Sequence, residues 1–213
     1  MSYLLHIDSS SLGEASVSRQ VAQTFLDGWA GTVVHRDLAA TPVPHLSAAG
    51  ITARVTDPAQ RSEEQAAAAA VQDALIEEFL GASAYLFTVP MYNLTMPSVF
   101  KAWLDQIIVD GHTLNREGPS RTAGRPAVVI SARGGGYGPG APKHGLDYVV
   151  PTLEALLGNL LGLDVSTVVP ELTMVPHAPA LAPLLPMHEA SMVEAHDRAR
   201  ELAAAINADT PAA

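Results

Sequence analysis

Three short stretches carry residue types that could do chemistry together. The first runs Asp8-Ser9-Ser10-Ser11 and ends Ser16-Val17-Ser18-Arg19, where an apolar period of four begins at Val17. Clustered hydroxyls that lead into a helix N-terminus offer O–H groups, unpaired N–H groups and the positive end of the helix dipole, a set that suits a phosphate. Ser16 also suits an ordinary N-cap, and the other serines suit a turn. The second stretch, Met91-Tyr92-Asn93-Leu94, lies between Pro90 and Pro97. It offers a thioether and a ring for packing on a flat ligand, with an amide that both donates and accepts. The third, Ser131-Ala132-Arg133-Gly134-Gly135-Gly136-Tyr137, carries three glycines that would let a backbone approach a planar ligand and aim N–H groups at it. A flexible turn uses the same glycines. Tyr137 suits either a place beside a second substrate or a partly buried loop aromatic.

The elements that must position these stretches follow from periodicity. Apolar runs at 4–7, 32–35, 84–89, 127–130 and 165–169 read as strands. Their lack of clean alternation suits strands covered on both faces of a parallel sheet. Between them Val17, Val21, Phe25 and Trp29 repeat every four residues, as do the faces Val71 to Leu80 and Val99 to Ile108. Further helices are expected over 146–161 and 187–206. Five β-α units predict an α/β, doubly wound, five-stranded parallel sheet of flavodoxin-like order 2-1-3-4-5 with helices on both faces. Residues 1–207 are expected to form one domain and 208–213 a disordered tail. Long connections are expected over 39–60 and 110–125. In such a sheet ligands bind outside the carboxyl ends of the strands at the switch point, which is where the three stretches fall. A phosphate loop, an aromatic-amide loop and a glycine loop side by side are what FMN would require.

Composition limits the alternatives. The 213 residues are 48% hydrophobic and 16% charged, which excludes a disordered or coiled-coil chain. Twelve Lys and Arg against 22 Asp and Glu give a net charge of −10, no footprint for nucleic acid. With no cysteine, thiol catalysis and disulfides are excluded. The N-terminal apolar run is too short for a signal peptide and no segment reads as a membrane span, so a cytoplasmic location with no membrane partner is expected. The eight histidines show no H-x-x-x-H or H-E-x-x-H pairing, and no metal is expected. A P-loop and a G-x-S-x-G elbow are both absent from the sequence. Gly136-Tyr137-Gly138-Pro139-Gly140-Ala141 matches a dinucleotide fingerprint loosely, but its prolines argue against a helix there.

With these residues in view, the chain resembles the FMN-dependent NADH azoreductases, also called NADH:quinone oxidoreductases, of the flavodoxin-like superfamily. The matching segments are Ser9-Ser10 with Ser16-Val17-Ser18, Pro90-Met91-Tyr92-Asn93-Leu94, Ala132-Arg133-Gly134-Gly135, and Arg36-Asp37-Leu38-Ala39. The resemblance implies a homodimer with one FMN per subunit, NADH or NADPH as donor, and ping-pong two-electron reduction of quinones or azo compounds. It implies that Ser10 and Ser16 to Ser18 hold the phosphate, that Met91 to Leu94 line the isoalloxazine, and that Arg133, Gly134 and Gly135 contact the ring edge. No catalytic side chain is required, because the cofactor carries the hydride. The chain departs from the family at Ala132, where Ser is usual, and at Leu94, where Phe is usual. The connection over 111–125 is shorter than usual, and Leu160 falls near a position that is often Phe at the dimer interface. An FMN electron carrier that does not oxidise a nicotinamide is the alternative function. A hydrolase on the same fold ranks below it.

Overall fold

The computed structural model describes residues 3–115 and 117–209. Five parallel strands, β1 (Tyr3–Asp8), β2 (Thr32–Asp37), β3 (Ala84–Thr88), β4 (Pro126–Ile130) and β5 (Asp164–Val168), form one sheet in the order β2-β1-β3-β4-β5. This is the expected topology. The register sets the ends of the three central strands level, with Asp8 beside Thr88 and Thr88 beside Ile130. Loops that leave β1, β3 and β4 therefore start at one height.

Alternate residues of each central strand enter different layers, as a pleat requires. Leu5, Ile7, Tyr85, Phe87, Ala127 and Val129 face one core, while Leu4, Ala84, Leu86, Val128 and Ile130 face the other. Both faces being apolar, alternation vanishes from the sequence. The outer strands differ from expectation, because β2 and β5 lie at the sheet edges with most residues partly or fully exposed. They lack a neighbour on one side, so their outer side chains meet water.

The first core packs under α3 (Glu63–Gly81) and α4 (Ser98–Ile107), and its centre is aromatic. The Trp103 ring lies 6.0 Å from Phe79, 5.8 Å from Phe87 and 5.4 Å from Phe100. The second core packs under α1 (Val17–Asp27) and α6 (Leu185–Asp209), with Phe25, Ala199 and Ala203 inside. A capping box between Ser62 and Gln65 starts α3. Arg36 and Glu78 tie β2 to α3 through a bidentate pair at 2.7 and 3.1 Å.

Three expectations change. The connection over 39–60 contains a short helix, α2 (Ala48–Ala53), capped by Ser47. The helix expected from residue 146 begins only at α5 (Val150–Leu153), because Asp147 Oδ1 accepts the Val149 and Val150 N–H groups and Pro151 sits in the first turn. It then widens into a π-helix over Glu154–Leu160. At the C-terminus α6 continues through Asp209, two residues into the segment expected to be disordered, and residues 210–213 lie outside the described residues. Among the described residues, no helix is long and apolar enough to cross a membrane.

Trp103 is fully buried, and its Nε1 has no hydrogen-bond partner among the described residues. Trp103→Ala is expected to cost about 3–5 kcal/mol and Trp103→Phe much less, since the phenyl ring keeps part of the edge and tilted aromatic contacts and leaves no orphaned donor. Val55→Ala, at an 88% exposed position, serves as the neutral control in urea denaturation.

Candidate functional site

The serine loop after β1 is held by bonds that leave one hydroxyl over. Ser9 donates both its N–H (3.0 Å) and its hydroxyl (2.8 Å) to the Thr88 carbonyl. Ser10 donates its N–H to Asp8 Oδ1 (3.0 Å), and its carbonyl accepts from Arg19 Nη2 (2.8 Å). The Ser10 hydroxyl is buried with no partner among the described residues. Ser16 accepts the Arg19 N–H at 3.3 Å, so its hydroxyl serves as the N-cap of α1. Ser18 is fully buried and accepts the Ala132 N–H at 3.3 Å. What Val17 and Ser18 present at the helix start is therefore N–H, the first-turn groups that no preceding carbonyl reaches.

The loop after β3 makes a tight turn. Tyr92 and Thr95 exchange two backbone bonds, at 2.8 and 3.1 Å, around Asn93 (φ 50°) and Leu94 (φ 72°). Two left-handed residues in a row are the pattern of a type I′ turn. Asn tolerates that region, whereas Leu pays steric strain, and such strain clusters at functional sites. The Leu94 carbonyl accepts the Tyr148 N–H at 3.1 Å. The Tyr92 phenol accepts the Ser11 N–H at 3.0 Å, and Met91 donates its N–H to the Ala132 carbonyl at 2.9 Å. The serine, Tyr-Asn and glycine loops are thus directly bonded to one another.

The glycine loop pairs on its far side with residues 170–174. Arg133 N–H donates to the Pro170 carbonyl, and the Arg133, Gly134 and Gly135 carbonyls accept from Thr173, Met174 and Leu172. A Cβ on Gly134 would stand 2.8 Å from Met174 Cγ, so a side chain there requires the half-exposed Met174 to move aside. The Arg133 guanidinium is 6% exposed and pairs with Asp147 (2.5 Å) and Glu171 (3.4 Å). It also lies 5.9 Å from the Tyr137 ring centre. Its charge braces the loop against the α5 cap and the 171 segment. Tyr137 is 9% exposed, with Lys143 Nζ 5.6 Å from its ring centre. The ring is thus mostly covered by its own loop and flanked by two cationic side chains. Two clefts flank the loops, one of about 570 Å³ beside Tyr92, Asn93 and Lys101, and one of about 530 Å³ beside Gly134, Leu172 and Met187.

Charged groups under the serine loop went unread in the sequence. The in-register pairs His6 with His35 and Asp8 with Asp37 put two imidazoles and two carboxylates on one face of β1 and β2. Arg19 lies between the carboxylates, Nε 2.8 Å from Asp8 and Nη2 2.9 Å from Asp37. Burial raises the Asp8 pKa, against the pull of the Ser10 N–H and Arg19. Burial also raises that of Asp37, but the Ala40 and Ala39 N–H groups and Arg19 bring it below the ordinary value. His6, buried and bonded through Nε2 to Thr88 Oγ1 (2.8 Å), has its pKa pushed down to about 3 by burial and then by His35 and Arg19. The signal available was positional: charged residues at equivalent places in two neighbouring strands.

His6, Asp8 and His35 also place one possible metal-ligand atom each within 4.8 Å of the others. The imidazoles are stacked, with centres 4.6 Å apart and planes 24° apart, so their in-plane lone pairs run side by side instead of converging. Both Asp8 oxygens already have partners.

His6 gives a pH prediction. Its folded pKa is depressed, so its contribution to stability is full above the unfolded value near 6.5 and is lost as pH falls toward 3. Lowering pH from 7 to 5 is expected to cost the wild type about 2 kcal/mol from this group. His6→Gln, which keeps a hydrogen-bonding group toward Thr88, is expected to lack that share in urea midpoints at the two pH values.

Comparison with known proteins agrees with this fold. A family model described as flavodoxin-like fold matches residues 2–183. The FMN-dependent NADH:quinone oxidoreductase of Streptomyces avermitilis is 47% identical over 95% of this chain and 98% of its own. The protein of that name from Streptomyces coelicolor is also 47% identical, over 98% and 99%. Among solved structures, an azoreductase from Bacillus anthracis superposes with a TM-score of 0.80 at 26% identity, covering 95% of this chain and 99% of that one.

Proposed function

The chain belongs to the flavodoxin-like family of FMN-dependent NADH:quinone oxidoreductases, and on that premise we propose that it binds FMN across the ends of β1, β3 and β4 and uses it to pass two electrons from NAD(P)H to quinones and azo compounds. The observation that carries this reading is the unpartnered Ser10 hydroxyl beside the open start of α1, in a loop bonded directly to the other two.

The residues present fit the cofactor. The Ser10 hydroxyl and the Val17 and Ser18 N–H groups would hold the phosphate, at the positive end of an eleven-residue helix. The Ser16 and Ser18 hydroxyls support them from behind, one as N-cap and one as acceptor for Ala132. Met91, Tyr92, Asn93 and Leu94 would line the ring system, fixed by the Tyr92–Thr95 turn. Gly134 and Gly135 would bring backbone against the ring edge, and Arg133 acts there by holding the loop in shape. Bound FMN supplies the two-electron redox chemistry that the side chains lack. The chain's part is to orient donor and acceptor in turn on one exposed face and to exclude water behind them. Ala132 offers no hydroxyl there, and Leu94 gives an aliphatic wall beside the ring, which shifts acceptor preference more than cofactor affinity. We propose further that the protein acts in the cytoplasm as a homodimer, with exposed Leu146, Tyr148 and Leu160 supplying apolar surface to cover.

The test is the visible spectrum of protein incubated with excess FMN and desalted, before and after anaerobic NADH. Retained flavin that NADH bleaches is the expected result, with quinone restoring the colour. Retained flavin that neither NADH nor NADPH bleaches would mean an electron carrier, and no retained flavin would remove the cofactor assignment.

The two serines separate cleanly. Ser10→Ala is expected to weaken FMN binding about tenfold at unchanged thermal stability. Ser16→Ala is expected to cost about 1 kcal/mol of stability through the lost cap. Fluorescence-quenching titration and thermal melts read the two effects.

A further inference from the structure

We propose that Arg19 is the positioning residue of the serine loop, locking the geometry in which the Ser10 hydroxyl and the start of α1 meet one phosphate; the inference rests on the FMN reading above. Four contacts of this one residue carry it. Its guanidinium donates to the Ser10 carbonyl at 2.8 Å and pairs with Asp8 at 2.8 Å and Asp37 at 2.9 Å, while its own N–H donates to the Ser16 cap at 3.3 Å. Asp8 in turn accepts the Ser10 N–H at 3.0 Å. Both peptide groups of Ser10 are therefore fixed by one ion pair, in a closed circuit from Asp8 through Ser10 to Arg19. Its hydroxyl is the polar group of that residue left without a partner. The same residue spans the two ends of the loop, with its side chain on Ser10 before it and its backbone N–H on Ser16 after it.

Arg19 does this by shape and not by charge. It is the one cation between Asp8 and Arg19 in the sequence, and it faces two carboxylates, so the trio carries a net negative charge and attracts no phosphate by itself. A guanidinium can reach three acceptors in fixed directions, which a lysine ammonium on a flexible stem cannot reproduce.

The experiment titrates wild type, Arg19→Lys and Arg19→Met with FMN and with riboflavin, which lacks the phosphate, following flavin fluorescence. Wild type is expected to prefer FMN strongly. Both variants are expected to bind FMN about tenfold or more weakly, with riboflavin affinity kept within about twofold. Arg19→Lys keeps the charge and so keeps the test sound if Arg19→Met folds poorly. Lysine binding FMN like the wild type would overturn the inference in favour of simple charge. Equal losses for both flavins would overturn it in favour of general collapse of the site. Undiminished FMN preference in both variants would overturn the inference alone, whereas wild type that binds neither flavin would overturn the cofactor reading and this inference with it.

Discussion

At the carboxyl edge of a parallel sheet, the last N–H and carbonyl groups of every strand must find partners in whatever comes next. This chain meets that demand by continuing the ladder beyond the strands. Val89 donates to Ile130, Ser131 to Val168, Leu38 to Asp8 and Ser9 to Thr88. The loops therefore leave the sheet already aligned, and the residues one or two positions further on have nowhere to go but beside one another. The candidate site is a product of that edge and of the level register of β1, β3 and β4.

The order of elements and the three loops were legible from the sequence, because Val, Ile and Leu runs and four-residue helical periods reflect burial directly. So was the capping role of Ser16, which stood beside the phosphate role from the start. What the sequence hid depended on three-dimensional pairing. Arg19 reads as the first polar face of a helix until Asp8 and Asp37 arrive side by side from two strands. Arg133 reads as a ligand donor until Asp147 and Glu171, 14 and 38 residues away, take up its guanidinium. The late start of α5 was hidden for the same reason, since a carboxylate shared between a cap and an ion pair leaves no periodic mark.

Electrostatics and packing divide the labour at this edge. Under the serine loop the chain sets buried Asp8 and a neutral, buried His6 beside half-buried Asp37 and Arg19, a costly set made tolerable by the opposed charges and by the water that reaches its outer members. Under the Tyr-Asn loop it places a wholly apolar aromatic core around Trp103. One side gives direction and the other gives stiffness, and the turn at Asn93 and Leu94 sits where the two meet.

Gly134 and Met174 are in effect one position written in two places. A first carbon at 134 would stand 2.8 Å from Met174 Cγ, and Met174 is 54% exposed, so a side chain at 134 is admitted only if the thioether swings out into solvent. A residue gained at 134 therefore displaces the side chain that now lies against this loop, and the backbone would lose as much cover as it gained.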